Sequence, residues 1–279
     1  MRALFLLPGD GSRQLLALPA VAAVADQLGF AIQVVCPAAA AGVWKLLPAV
    51  EKVIPFSFDD ATLADWANLL GSVREPDFQA SINLASGRQV DLMLSMSHIP
   101  ARIATGGFSA TTRVSPPGGG WPAQAFAAFL QPIGVTLDAA AYRIHLPPAA
   151  LQQAAASLPP GDGPMLLMAP AGVPGDWPES CWQELPATIR HRLPALRSLT
   201  LAPAGGSVAE RAARIAASDV VLASDPLSEE LALLCGVPLV ALGRGQDTLP
   251  DRSGVKGLSL AEGLGALSPD TVLAALGLA

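Results

Sequence analysis

The sequence predicts an α/β protein of two halves, each a parallel sheet covered by helices, with the second half reduced. Three observations predict it. Short apolar runs alternate with Ala/Leu-rich stretches at helical spacing. The strand-like runs lack polar alternation, as expected of strands covered on both faces. A break rich in Pro and Gly, Leu158-Pro159-Pro160-Gly161-Asp162-Gly163-Pro164, separates two such series. The 279 residues amount to about two domains. Expected boundaries are a first domain at 1–145, a linker at 146–164 and a second domain at 165–279.

In order, residues 3–7 read as the first strand, followed by the loop Pro8-Gly9-Asp10-Gly11-Ser12 and a helix over 13–28 that contains Pro19 and stops at Gly29. A strand at 31–36, a helix at 38–47, a short strand at 52–54 and a helix at 61–71 follow. Next come a strand at 78–84, a helix at 88–97 and a strand at 102–104. The loop Ser115-Pro116-Pro117-Gly118-Gly119-Gly120 precedes a helix at 122–130. Past the break, strands at 165–169, 196–201, 219–223 and 238–242 alternate with helices at 179–191, 207–217 and 227–235. Ser268-Pro269-Asp270 opens a last helix with an N-cap serine and a proline in its first turn. Such an order calls for right-handed crossovers and two α/β halves with a cleft between them.

Composition excludes several classes. Hydrophobic residues make up 51% and charged residues only 14%, enough apolar side chain to rule out a disordered chain. Mean hydropathy is +0.44, yet the longest apolar runs are 11 residues at 15–25 and 13 at 231–243, interrupted by Pro19 and Pro238. A membrane span needs about 20. The opening Met1-Arg2-Ala3-Leu4-Phe5-Leu6-Leu7 passes at once into Pro8-Gly9-Asp10, which is not a signal peptide, so a cytoplasmic location is expected. A net charge of −6 argues against nucleic acid as a partner. Cys36, Cys181 and Cys235 form no CxxC, so no metal site is expected.

Six segments, in order, resemble glycosyltransferase family 9, which includes the heptosyltransferases. They are Met1-Arg2-Ala3-Leu4-Phe5 with Leu18-Pro19-Ala20; Pro48-Ala49-Val50-Glu51-Lys52-Val53-Ile54-Pro55-Phe56; Asn83 to Arg88 with Ala101-Arg102-Ile103-Ala104-Thr105-Gly106-Gly107-Phe108; Ala169-Pro170-Ala171-Gly172 with Trp177-Pro178-Glu179-Ser180-Cys181-Trp182; Ala217-Ser218-Asp219-Val220-Val221; and Gly236-Val237-Pro238-Leu239-Val240-Ala241-Leu242. The resemblance implies a GT-B-like fold of two Rossmann-like domains. It also implies sugar transfer from a nucleotide diphosphate sugar, commonly ADP-linked, to a saccharide or lipid-linked acceptor, with inversion and with no cofactor or tightly bound metal.

The chemistry needs a carboxylate base and donors for the leaving diphosphate. The family's basic Gly-Asp pair falls on Ser12-Arg13, and a guanidinium cannot be a base. Asp10 is the candidate base nearby, although Asp between two glycines is also an ordinary turn residue. Ser12 and Arg13 at a helix start could bind an anion, or Arg13 could be a solvated surface residue. The family's donor lysine falls on Gly175 beside Asp176, in a Gly172–Gly175 loop that is a second anion-binding candidate. In its third motif Asp225 is retained, Pro226 and Leu227 replace Thr and Gly, and Glu230 replaces His. Asp225, Pro226 and the acids after them also suit a helix N-terminus. The donor half is short by about one β-α unit. An alternative is therefore a catalytically silent relative that binds a ligand or a protein partner, or serves in assembly. His98, His145 and His191 read as structural. The run Arg190, His191, Arg192 and Arg197 reads as a solvated face, or at most a peripheral membrane contact.

Overall fold

The computed structural model describes residues 1–203 and 205–278, and the chain divides into two compact units, Met1–Tyr142 and Arg143–Ala279. In the first unit six parallel strands, β1 (Arg2–Leu6), β2 (Ala31–Cys36), β3 (Val50–Pro55), β4 (Phe78–Asn83), β5 (Ala101–Ala104) and β6 (Thr112–Arg113), lie in the order β3-β2-β1-β4-β5-β6. The crossover helices are α1 (Gly11–Leu28), α2 (Leu63–Arg74) and α3 (Arg88–Met96), followed by the short α4 (Pro122–Ala125) and α5 (Ala127–Leu130). The stretch expected as an α-helix at 38–47 is a 3-10 helix, Ala38–Leu46.

β1 is central, and Ala3, Leu4, Phe5 and Leu6 are completely buried, which is why its sequence shows no alternation. Leu4 and Leu6 meet Val90, Met93 and Leu94 of α3, while Trp66 of α2 packs edge-on against Phe56 at 4.6 Å between ring centroids. α1 starts at the N-cap Asp10 and ends at Gly29, which takes the left-handed conformation (φ +63°) that glycine reaches without strain.

The second unit has five parallel strands, β7 (Met165–Ala169), β8 (Arg197–Thr200), β9 (Val220–Ala223), β10 (Leu239–Leu242) and β11 (Val255–Leu258), in the order β11-β10-β9-β7-β8. Its helices are α6 (Pro148–Ser157), α7 (Glu179–Arg192), α8 (Val208–Ala216), α9 (Pro226–Cys235) and α10 (Pro269–Ala275). α6 occupies part of the stretch expected as a linker. Trp177 and Trp182 pack edge to face at 5.2 Å in the core, and the Trp177 indole N–H donates to the Leu267 carbonyl at 2.9 Å. No helix among the described residues is long and apolar enough to cross a membrane.

Candidate functional site

In an open parallel sheet, ligands bind outside the carboxyl ends of the strands, where the strand order reverses. In the first unit the chain runs from β1 outward to β2 and β3, then returns to β4 on the other side, so the reversal lies between β1 and β4. Residues 7–13 sit at that edge. Buried Gln14 fixes the turn: its amide donates to the Leu7 carbonyl at 2.9 Å and to that of Gly9 at 3.3 Å, while its oxygen accepts the Trp44 indole N–H at 3.2 Å. Gln14 escaped the sequence reasoning, although a lone amide in an apolar helix face was the available signal. On the neighbouring strand, Asn83 closes its own turn through two 3.0 Å bonds with the backbone of Ala85.

Asp10, Ser12 and Arg13 come together on this turn. One carboxylate oxygen of exposed Asp10 accepts the Ser12 hydroxyl at 2.7 Å and the Arg13 backbone N–H at 3.1 Å. Partial burial works against the charge, but these hydrogen bonds and the Arg13 cation outweigh it, and the carboxyl sits below its ordinary value of 3.8. Asp10 is therefore ionised at neutral pH. The Arg13 stem lies across Gly9, where a Cβ would come within 2.4 Å of its Cδ and where φ is +102°. Among the described residues the exposed Arg13 guanidinium donates no hydrogen bond. The turn thus presents an ionised carboxylate, a hydroxyl and a cation with no hydrogen-bond acceptor among the described residues, at the start of an 18-residue helix.

In the second unit the reversal lies between β7 and β9, placing Gly172 and Asp225 at neighbouring strand ends. Ser224 joins the two turns by accepting the Ala171 N–H at 2.9 Å. Several of the donors here are already filled. The Asp176 carboxylate accepts the Gly172 N–H at 2.9 Å and the Trp177 N–H at 2.7 Å. Asp225 is the N-cap of α9: it accepts the Ser228 N–H at 3.1 Å and the Ser228 hydroxyl at 2.6 Å, and it lies 3.4 Å from buried Arg211. Pro226 at N1 has no N–H to offer.

Glu230 is buried and bonded to Arg244 at 2.6 Å, with Glu229 3.6 Å from the same nitrogen. Arg244 also reaches the Thr248 carbonyl and hydroxyl, so the cluster ties α9 to the turn after β10. Burial pushes the Glu229 carboxyl up to about 8; Arg244 opposes the shift, and Glu230 and Asp225 add to it. This arrangement escaped the sequence reasoning because Arg244 lies 14 residues from Glu230.

Elsewhere, His98 sits at the amino end of β4 beside Arg74, away from the strand-end turns. Arg190 donates to Leu196 and Ser198, Arg192 to Leu278, and Arg197 to Gly163 and Pro159, so three guanidiniums of the basic run are engaged within their own unit. The three cysteines form no disulfide, and burial pushes the Cys235 thiol up to about 12. Among the described residues no group of three or more His, Cys, Asp or Glu could hold a metal ion.

Two parallel sheets covered by helices, each with its reversal beside its first strand, define a GT-B-like α/β protein. Solved structures that match along the whole chain include glycosyltransferases and, at a TM-score of 0.51, a putative UDP-N-acetylglucosamine 2-epimerase from Listeria monocytogenes. The family 9 glycosyl transferase from Veillonella parvula superposes with a TM-score of 0.78 at 16% identity, covering 99% of this chain and 96% of that one. The E. coli ADP-heptose lipopolysaccharide heptosyltransferase II gives 0.77 at 18%, covering 99% and 98%. E. coli heptosyltransferase WaaC with ADP-2-deoxy-2-fluoro heptose gives 0.72 at 14%, covering 99% of each. No family model matches the chain, and no curated protein sequence matches it.

Proposed function

We propose that this chain transfers a sugar from a nucleotide diphosphate sugar to a saccharide or lipid-linked acceptor, in the manner of family 9, with Asp10 as the base. The observation that carries the reading is the turn after β1: an ionised carboxylate held by Ser12 beside the exposed Arg13 cation, at the switch point of the first sheet. In this reaction Asp10 takes the proton of an acceptor hydroxyl. The hydroxyl oxygen then forms the new bond to the anomeric carbon with inversion. The bond from that carbon to phosphate breaks, and its electron pair leaves with the diphosphate. The Arg13 guanidinium and the first-turn N–H groups of α1 that Asp10 does not hold meet the negative charge. The donor's nucleotide side is assigned to the second unit, at Gly172 and Asp225, by the family resemblance.

A second reading, a catalytically silent relative that binds a ligand or partner, is favoured by one observation. Asp176 and Asp225 already occupy the Gly172, Trp177 and Ser228 N–H groups and place negative charge where a diphosphate would approach. A panel of ADP-, GDP- and UDP-sugars decides between them. Release of nucleoside diphosphate above the no-enzyme rate supports transfer. No release, with no rise in melting temperature on adding any nucleotide sugar, leaves the silent reading.

A further inference from the structure

Arg211 of α8 is a buried cation, 5% exposed, on a helix whose Ala212, Ala213 and Ile215 already pack into the core. Taking a guanidinium out of water costs free energy, and an apolar side chain in such a place often serves stability as well or better. Here four oxygens from two turns compensate. Nη1 donates to the Ser228 hydroxyl at 2.9 Å and lies 3.4 Å from the Asp225 carboxylate. Nη2 donates to the Ala202 carbonyl and, at 3.2 Å, to that of Pro203.

The two turns are not neighbours in the sheet. Residues 202–203 follow β8 and Asp225 follows β9, while the order β9-β7-β8 puts β7 between them. Arg211 therefore joins the turns on either side of the carboxyl end of β7. The turn after β7 is tied to both. Gly172, at φ +66°, lies so close to the Pro203 ring that a Cβ there would come within 2.8 Å of the Pro203 Cγ. On the other side, Ser224 accepts the Ala171 N–H at 2.9 Å. One planar fork thus fixes three turns at the switch point of the second sheet. A lysine ammonium has a single nitrogen and cannot hold the oxygens of both flanking turns in this geometry.

We propose that Arg211 is a positioning residue for the nucleotide side of the site. Without touching the ligand, it sets the spacing of Gly172 and Asp225, and with it the geometry in which a diphosphate is received. The inference rests on the assignment of the donor's nucleotide to the second unit. Donors held in place bind at lower cost than donors ordered on binding. Asp10 lies in the other unit, so loss of the fork acts on nucleotide binding and shows in KM rather than in kcat.

The test is calorimetric titration of ADP, with GDP and UDP in parallel, into the wild type, Arg211→Lys and Pro203→Ala. Each protein is titrated well below its own melting temperature, so that every molecule is folded. Arg211→Lys keeps the charge and loses the fork. Its Kd for whichever nucleotide the wild type binds should rise about ten-fold, with KM for the corresponding nucleotide sugar rising in step and kcat held within about two-fold. Pro203→Ala removes the contact with Gly172, leaves both carbonyls on Arg211, and should weaken binding several-fold. A lower melting temperature with unchanged Kd in Arg211→Lys marks a structural role alone; it overturns the inference and leaves the nucleotide reading standing. Where Arg211→Lys does not fold, Pro203→Ala carries the test, and unchanged affinity there overturns the inference. A wild type that binds none of the three nucleotides overturns it together with the reading on which it rests.

Discussion

Glu229→Gln isolates the buried cluster at the start of α9. Glu229 and Glu230 lie 3.6 and 2.6 Å from one nitrogen of Arg244, and both are 4% exposed. Burial outweighs the attraction of Arg244, so the Glu229 carboxyl is pushed up to about 8 against an ordinary 4.5 and holds its proton at neutral pH. The folded chain then binds a proton that the unfolded chain releases. Glu229 costs nothing below pH 4.5, and stability is lost as pH rises from there toward 8. The full loss is about 5 kcal/mol, from a shift of about 3.5 units at ~1.4 kcal/mol each. Gln keeps the neutral shape and cannot ionise. In urea unfolding at pH 5, 6, 7 and 8, the stability of Glu229→Gln relative to wild type should rise by about 3 kcal/mol across the series. A difference constant within about 0.5 kcal/mol would refute the buried proton.

Three further outcomes are expected. Asp176→Asn frees the turn at Gly172 of its charge and should tighten ADP binding about five-fold by calorimetry, a ~1 kcal/mol effect at a set of backbone donors; unchanged or weaker binding would show that Asp176 does not compete with the diphosphate. Trp177→Ala removes a fully buried indole and its bond to Leu267, costing about 3–5 kcal/mol in chemical denaturation. Gly107→Ala forces a Cβ onto Asp91 in a left-handed backbone and should cost about 1–3 kcal/mol, with protease cleavage between residues 105 and 111 as the local readout.

Much of the fold was legible because both sheets are parallel and covered, so β1, β7 and β10 are nearly unbroken apolar runs in the sequence. Helix ends were legible where capping chemistry is local: Asp225-Pro226 before α9, and Gly236 after it at φ +77°. Elements without a buried stripe were not. α6 buries only Ala154, β11 contains Gly257 and an exposed Lys256, and β6 has two residues. At the site, Asp10, Ser12 and Arg13 could be grouped because they share one turn. Asp91 to Ser109 and Arg244 to Glu230 are long-range pairs that leave no local pattern. Asp176 was visible as a misplaced anion, but its hold on the Gly172 and Trp177 N–H groups depends on how the turn folds back.

The most direct test of Asp10 as the base is kcat for Asp10→Asn on whichever nucleotide sugar the wild type turns over. Asn remains a good N-cap, so the melting temperature should stay near that of the wild type, while kcat falls by a factor of about 10²–10⁴. A folded Asp10→Asn protein with undiminished kcat would contradict the assignment and leave Asp10 as the cap of α1 alone.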